Sequence, residues 1–220
     1  MQDKYKLKLN ENIFLAKKQL VENIYCSAKV EGLNTTFLET QTILDGVNVP
    51  NATLDDITTI LNLRDAWRFI LNSAQDEINL EYICKINEYI SRNESLEWGV
   101  LRKGNVGISG TDYVPLIPVK EMVEKEIINI LNTGVSQTEK ALKMFLYITR
   151  SQLFWDGNKR TATLAANKIL IAGGGGVLRI KENNILEFNT LLKEFYDTAN
   201  GENLLKFLYE KCIFGLFLTA

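Results

Sequence analysis

Apolar residues recur at helical spacing along most of this chain. Over residues 57–71 they fall close to the i, i+3, i+4 pattern of an amphipathic helix, and Thr53-Leu54-Asp55-Asp56 before them is a typical helix start. Only three prolines, at positions 50, 115 and 118, interrupt the chain. The sequence therefore predicts an all-α fold, with further helices over 20–30, Thr36 to about Gly46, from Asn79 onward, 119–131, 137–150, 184–196 and 203–212.

Residues 98–118 break this pattern. They are rich in glycine, valine and isoleucine, contain two of the three prolines and lack helical periodicity, which predicts a short β-hairpin or flap. Four glycines at 173–176 predict the end of the preceding helix, because the Gly-Lys-Ser/Thr of a phosphate loop does not follow them. Residues 177–180 then predict one short extended piece.

The composition is that of one folded domain. The chain has 220 residues, 46% of them hydrophobic, without internal repeats or a low-complexity linker. Its 25 basic and 27 acidic residues give a net charge of −2, which argues against a strongly basic nucleic-acid surface. We expect no nucleic-acid partner and no membrane association.

The cysteine pattern indicates reduced thiols. Cys26, Cys84 and Cys212 lie far apart, and the chain has no histidine, which excludes a Cys/His zinc site. The first eight residues lack the apolar stretch of a secretory signal, so we expect a cytoplasmic protein. Residues 211–220 form an apolar tail, too short to span a membrane, that we expect to pack on the body or on another chain.

The candidate chemistry lies in residues 152–160, which read Gln-Leu-Phe-Trp-Asp-Gly-Asn-Lys-Arg. Asp156 is a carboxylate that could hold Mg²⁺, Gly157 allows a close approach of backbone and ligand, and Asn158 suits the N-cap of the following helix. The free amides and the positive dipole end of that helix make an anion site.

Two cations complete this site. Arg160 can contact phosphate oxygens bidentately, and Lys159 adds a point charge. An ordinary helix corner, with Asp-Gly as the turn and asparagine as the cap, would show the same short pattern. Gln152 stands where a general base would be expected. The segment therefore predicts phosphate binding without a proton-transfer group.

This segment resembles the signature of the Fic domain family, His-x-Phe-x-(Asp/Glu)-Gly-Asn-(Gly/Lys)-Arg. Gln152 departs from the histidine of that signature, and Lys159 is similar to the variant of Doc-type members. A second segment, residues 27–32, resembles the family's inhibitory (Ser/Thr)-x-x-x-Glu-(Gly/Asn) helix. The residues that match the main signature are Phe154, Asp156, Gly157, Asn158 and Arg160.

A third segment, running from Gly99 to Pro115, resembles the flap on which the family docks its targets, with Val106, Gly107 and Ile108 at its centre. The resemblance implies a Fic-like helical bundle with one small β-hairpin flap. It divides the single domain 1–220 into an N-terminal segment with the inhibitory helix (1–35), a core (36–210) and the apolar tail (211–220).

The resemblance also implies a role for each matching residue. Asp156 would hold Mg²⁺, Gly157 and Asn158 would form the anion nest with the amides after them, and Arg160 would bind the β- or γ-phosphate of ATP. The inhibitory motif, Ser27, Glu31 and Gly32, would let Glu31 block the productive pose of the γ-phosphate. The reaction implied is AMP transfer from ATP to a Ser, Thr or Tyr hydroxyl of a target protein, with self-modification and self-association as further expectations.

Two departures from the family pattern, at Gln152 and Thr163, keep the activity open, and so does the Doc-type Lys159. Gln152 cannot titrate near neutral pH, which predicts a slow enzyme or a catalytically inactive binding module; whether it positions substrate or is a structural remnant stays open. Thr163 stands where many members carry a second arginine that pairs with the inhibitory glutamate. Lys159 goes, in Doc-type relatives, with phosphate transfer. Two flap residues keep alternative roles, Tyr113 as a packing residue or a self-modified one, and Arg102 as an anchor or a ligand contact.

Overall fold

A computed structural model describes residues 1–216 of the chain. Ten α-helices run along these residues, with one 3-10 turn at Glu182–Asn184 and one π-helical turn at Leu208–Cys212. The all-α prediction is confirmed. The helices are α1 (Leu9–Lys18), α2 (Leu20–Val30), α3 (Phe37–Leu44), α4 (Leu54–Asn72), α5 (Leu80–Ile90), α6 (Lys120–Asn132), α7 (Gln137–Ser151), α8 (Asn158–Ala172), α9 (Ile185–Thr198) and α10 (Glu202–Phe207).

Side-chain caps explain why several helices begin where the sequence predicted. The Thr53 hydroxyl accepts from the Asp56 amide at the start of α4, and the Asp56 carboxylate accepts from the Thr53 amide. Thr36 and Glu39 make the same reciprocal pair at α3, and Asn79 caps α5. Each cap satisfies amides that have no partner inside the helix.

The periodicity did not predict α1. Its core-facing position Asn12 is fully buried, and a polar residue there hides the apolar spacing. The Asn12 amide donates to the Gly176 carbonyl at 2.9 Å and accepts from the Gly176 amide at 2.8 Å. This helix is therefore fixed by a polar contact with the glycine run after α8, which no periodicity reports.

The small β element lies outside the predicted flap, and its first strand confirms the extended piece predicted at 177–180. Within residues 1–216 the sheet consists of one antiparallel pair, β1 (Val177–Leu178) and β2 (Ile213–Phe214), so the start of the apolar tail packs on the body. Residues 98–118 contain no strand, which corrects the hairpin predicted there. The carbonyls of Gly104, Pro115 and Leu116 accept instead from the buried Arg102 guanidinium. Residues 217–220 of the tail lie outside the described residues.

The pair α7 and α8 forms the centre of the molecule. Phe145 and Ile148 on α7 and Leu164 and Ala165 on α8 are buried in the core, and the other helices surround them. The candidate loop 152–157 joins the end of α7 to the start of α8, so the core holds it from both sides. Within residues 1–216, no helix has the length and apolar character that crossing a membrane requires.

Lys168 is a buried cation on the central helix α8. Its ammonium group donates to the carbonyls of Ala74 and Asp76 at 2.7 and 2.6 Å, just after the end of α4. We expect Lys168→Met to cost about 2 kcal/mol, because two carbonyls lose their donor. Thermal unfolding should show a lower midpoint, whereas Lys125→Met on the exposed side of α6 should leave it nearly unchanged. Equal midpoints for the two variants would contradict this role.

Candidate functional site

Two left-handed residues shape the loop between α7 and α8. Gln152 ends α7 with φ 46° and ψ 61°, and Gly157 precedes α8 with φ 72°. A β-carbon at Gly157 would lie 2.4 Å from the Ser91 hydroxyl oxygen and 2.6 Å from an Ile90 methyl carbon. Glycine is therefore required here both by its backbone angles and by close packing against the end of α5.

Asn158 is the first residue of α8, not its N-cap, which is Gly157. The predicted cap is corrected by one residue because the Asn158 amide bonds backward into the loop instead. It accepts from the Phe154 amide at 2.9 Å and donates to the Phe154 carbonyl at 2.8 Å and to the Gln152 Oε1 atom at 3.1 Å. Phe154 itself is fully buried, so this pair ties the loop to the core.

An open cavity of about 550 Å³ lies over this loop and the start of α8. Most of the candidate residues meet there, although they come from four separate parts of the chain. The cavity is lined by Gln152, Trp155, Asp156, Gly157, Asn158 and Lys159 of the loop and α8, by Val106, Gly107, Ile108 and Ser109 of the flap, by Asn189, Leu192, Lys193 and Tyr196 of α9, and by Glu31.

Asp156 directs a carboxylate toward the cavity while its backbone is fixed. Its carbonyl accepts from the Asn87 amide at 3.0 Å and from the Ser91 hydroxyl at 3.1 Å, both on the α5 side. Its side chain is 52% exposed. Within residues 1–216, no cluster of three or more acidic, cysteine or histidine side chains could hold a metal ion. A single carboxylate suits Mg²⁺, which takes its other ligands from water and substrate phosphates.

Arg160 lies behind the cavity and does not line it. Its guanidinium is almost fully buried, and it donates to the Glu94 carboxylate at 2.8 Å and to the Ile90 carbonyl at 3.3 Å. Burial is the largest influence and acts to lower the pKa of Arg160, but the carboxylates of Glu31, Glu94 and Asp156 together outweigh it and raise that pKa. The phosphate role expected for Arg160 therefore stays a prediction, and Lys159 is the cation of this pair that faces the cavity.

Glu31 reaches the same cavity from the end of α2. The helix stops in a Schellman turn, in which the Gly32 amide donates to Lys29 and the Leu33 amide to Ala28, with Gly32 at φ 87°. Glu31 is the C-cap residue of α2 and lies at the cavity wall. Gly32 thus shapes the turn and, like Ser27, does not line the cavity.

The Glu31 carboxylate is held loosely. Its Oε1 atom lies 3.7 Å from the Lys159 ammonium nitrogen and is buried without a hydrogen-bond partner. Ser27 donates to the Asn23 carbonyl of its own helix, and Thr163 donates to the Lys159 carbonyl. Neither hydroxyl therefore fixes the carboxylate.

The Gln152 side chain is hydrogen-bonded through both its amide nitrogen and its oxygen. Its Nε2 atom donates to the Thr149 carbonyl at 2.7 Å, and its Oε1 atom accepts from Asn158. Burial raises the pKa of the Tyr196 phenol at the same cavity wall, and the Glu31 carboxylate acts in the same direction. Neither the amide nor the phenol can therefore accept a proton near neutral pH.

The flap closes one side of the cavity through contacts with α7 and α9. The Tyr113 ring stacks on Tyr196 with centroids 6.4 Å apart, and the Arg150 guanidinium lies 3.9 Å from the Tyr113 ring centroid. The Thr111 hydroxyl donates to the Asp197 carboxylate. Tyr113 is thus a packing residue in this structure, one of the two roles left open for it.

Several contributing residues were missed from the sequence, namely Asn87, Ser91, Glu94 and the α9 residues Asn189, Lys193 and Tyr196. They lie on helices and turns far from the loop in sequence, and nothing in their local pattern distinguishes them from solvated polar residues. Only the packing of α5 and α9 against α8 and the flap brings them to the site.

Comparison with known proteins finds a family match over part of the chain. Residues 77–170 match the model of the Fic/DOC family. The chain is 26% identical over 162 residues to Protein adenylyltransferase fic-1 of Caenorhabditis elegans, covering 69% of this chain and 32% of that protein. It is 27% identical over 170 residues to Protein adenylyltransferase Fic of Nematostella vectensis, covering 72% and 39%. The chain thus spans about a third of the length of these curated relatives.

Solved structures show the same fold. Fic-1 from C. elegans superposes with a TM-score of 0.77 at 21% identity, over 89% of this chain and 60% of that one. A Fic domain containing signaling protein from Bacteroides thetaiotaomicron gives 0.71 at 20% identity, over 84% and 75%. BepC from Bartonella tribocorum, with bound AMPPNP, gives 0.53 at 19% identity, over 79% and 91%. Residues 77–170 of the chain thus match the Fic/DOC family, and the solved structures show that the chain has the fold of Fic proteins.

Proposed function

We propose that this chain binds ATP with Mg²⁺ in the cavity over α8 and transfers AMP slowly to a hydroxyl group of a protein, under restraint by Glu31. One observation carries the proposal. The start of the buried helix α8, the exposed carboxylate of Asp156 and the ammonium group of Lys159 meet at a cavity of about 550 Å³. Helix α2 adds a second carboxylate there, that of Glu31. The adenylyltransferase names of the curated relatives support AMP as the transferred group.

The phosphate groups of ATP are placed by the start of α8. The first amides of the helix have no partner inside it and carry its positive dipole end, and Lys159 adds a positive charge at the same wall. The BepC relative holds AMPPNP, which supports nucleotide binding in this fold. Asp156 would hold the Mg²⁺ ion, which would offset the negative charge of the phosphates when bound.

In the proposed reaction the oxygen of a target hydroxyl attacks the α-phosphorus of ATP. The bond from that phosphorus to the bridging oxygen breaks, pyrophosphate leaves, and an AMP ester of the hydroxyl remains. Because Gln152 cannot take the hydroxyl proton, water must accept it, and loss of general-base catalysis costs about 10²–10⁴-fold in rate. Positioning and charge stabilisation remain, and they carry much of such a transfer.

Glu31 restrains the site by charge. Its carboxylate lines the cavity in which the phosphates are expected, so it repels the nucleotide. It also lies 3.7 Å from the Lys159 ammonium group and pairs with a cation that would otherwise be free to bind phosphate. Thr163, at the position of the second arginine, donates to its own helix. Among residues 1–216, no arginine forms a hydrogen bond with the Glu31 carboxylate. We infer a weak restraint that nucleotide binding can displace.

A second candidate function is nucleotide binding without transfer. The hydrogen bonds of Gln152 to Thr149 and Asn158 favour it, because they use the side chain as part of the loop's framework. Phosphate transfer is a third candidate, favoured by Lys159 at the cavity wall. Labelled ATP separates all three, since the label appears in protein from the α-position, from the γ-position, or from neither.

We expect Glu31→Gly to bind ATP with Mg²⁺ about tenfold more tightly than the wild type, because one repulsion of roughly 1.4 kcal/mol is removed. Thermal stability with ATP and Mg²⁺ measures this, since a ligand at ~100 times its Kd adds roughly 2.7 kcal/mol. Glu31→Gln is the matched variant that removes the charge and keeps the side-chain size. Label transfer from α-labelled ATP should follow in both variants.

Other outcomes of this experiment decide against the proposal. Stabilisation by ATP without label in any variant would establish the binding module instead. Label only from the γ-position would replace AMP transfer by phosphate transfer. No stabilisation in the wild type, Glu31→Gly or Glu31→Gln would show that the cavity does not hold ATP.

A further inference from the structure

A chain of polar contacts links α4 to the exposed carboxylate of Asp156. Thr59 and Asn62 on α4 donate to the two oxygens of Glu94, at 2.9 and 2.6 Å. The Arg160 guanidinium then donates to Glu94 at 2.8 Å. The Glu94 side chain is 15% exposed, so its carboxylate is fixed in orientation by donors on both oxygens.

The other edge of the same guanidinium forms a looser ion pair with Asp156, without a hydrogen bond. Arg160 Nη2 lies 3.6 Å from Asp156 Oδ2, beyond hydrogen-bond distance. The Nε atom of Arg160 is buried and has no hydrogen-bond partner. The guanidinium is therefore held at Glu94, with its own Nε atom left unpartnered. Asp156 Oδ1 accepts from the Gly157 amide at 2.6 Å, and within the described part of the chain Asp156 Oδ2 has no hydrogen bond.

Release from Glu94 would change this balance. A guanidinium and a carboxylate attract each other strongly and pair through two parallel hydrogen bonds when they can meet. Asp156 is the neighbouring carboxylate, only a small displacement away. A hydrogen-bonded Arg160–Asp156 pair would occupy the Oδ2 atom, which is the oxygen left for a divalent cation because Oδ1 accepts from the Gly157 amide.

We propose that Glu94 is a positioning residue that holds Arg160 away from Asp156 and so keeps the Asp156 carboxylate free for a divalent cation. The inference rests on the proposed binding of ATP with Mg²⁺. It assigns the buried Arg160 a part in metal binding through Asp156 instead of direct contact with phosphate.

The test measures how Mg²⁺ strengthens nucleotide binding, with a fluorescent ATP analogue titrated at a series of Mg²⁺ concentrations. In Glu94→Gln we expect the Mg²⁺ affinity of the complex to fall about tenfold, as for other residues that orient metal ligands. Binding of the analogue without metal should stay within about twofold of the wild type, since the cavity lining is unchanged. Glu94→Asp, which keeps the charge, should restore part of the loss.

Two controls separate positioning from structural damage. Glu88→Gln, in an exposed pair with Lys85 on α5, changes the net charge equally and should leave the Mg²⁺ dependence unchanged. In an Asp156→Asn background, Glu94→Gln should cause no further loss of Mg²⁺ affinity, because the ligand it acts on is gone.

The results that would overturn the inference are distinct from those that would overturn the proposed function. Either of two results would show that Glu94 has only a structural role. One is a wild-type Mg²⁺ dependence in Glu94→Gln, and the other is a loss of Mg²⁺ affinity on Glu94→Gln that is as large in the Asp156→Asn background as in the wild type. A crystal structure of Glu94→Gln with the Arg160–Asp156 distance still near 3.6 Å would do the same. Absence of nucleotide binding in the wild type and in Glu31→Gly would overturn the proposed function and the metal role with it.

Discussion

Gln152→His is expected to raise AMP transfer by about 10²–10⁴-fold, because an imidazole can accept the hydroxyl proton that an amide cannot. The ordinary pKa of histidine, about 6.5, lies close to neutral pH. The rate should be measured with α-labelled ATP in a Glu31→Gly background, so that the restraint does not hide the gain. It should rise with pH through about 6.5 and then level off, as the free imidazole replaces the protonated one.

The backbone of this position tolerates the change. Gln152 is in the left-handed region, at φ 46°, where histidine and asparagine are found more readily than most side chains. The imidazole can donate one N–H to the Thr149 carbonyl, as Gln152 does at 2.7 Å, and leave its second nitrogen free to accept a proton. The new base should therefore not cost stability.

Gln152→Asn is the matched control for this gain. It favours the same backbone angles and has no titratable group, so it should show no rise in rate and no dependence on pH near 6.5. Equal, measurable rates for Gln152→His and Gln152→Asn would show that proton removal does not limit the transfer. No transfer in either variant would favour the nucleotide-binding module.

Local sequence signals predicted the helices well wherever caps and apolar spacing agreed. Thr53 with Asp56, and Thr36 with Glu39, fix helix starts through contacts three residues apart, which a sequence displays directly. The Schellman turn at Gly32 is equally local. Helix α1 was missed because Asn12 occupies a core position through a partner 164 residues away.

The candidate site divides along the same line. The residues of the loop and of the α2 motif were found because each lies within a short recognisable run. The structure brings most of the loop residues to one cavity, together with Glu31 of the α2 motif. Glu94 was not predicted as a site residue, because it is linked to the site only through its hydrogen bond with Arg160, 66 residues away. The burial of Arg160 could not be predicted for the same reason. A motif gives residue types and spacing, but it does not show which face of a helix is buried by neighbouring helices.

Arg102→Met is expected to lower the free energy of unfolding by about 4 kcal/mol. The side chain is 1% exposed and donates to four backbone carbonyls, those of Gln152, Gly104, Pro115 and Leu116. Each carbonyl left without its donor costs on the order of 1 kcal/mol or more. For a chain of this size the thermal midpoint should fall by roughly 8–16 °C.

The effect should concentrate on the flap, which distinguishes it from general destabilisation. Residues 98–118 form no strand, and the three flap carbonyls hold the flap to the Arg102 guanidinium. The fourth carbonyl, that of Gln152, holds the guanidinium to the end of α7. Limited proteolysis of Arg102→Met should cut first within 103–118. Lys103→Met changes the same charge one residue away, at a side chain that is 78% exposed, and should shift stability by about 0.5 kcal/mol or less. If both variants had the same thermal midpoint and were cut at the same sites, the guanidinium would not be what holds the flap. Its other contacts would have to do so, such as those of Tyr113 with Tyr196 and of Thr111 with Asp197.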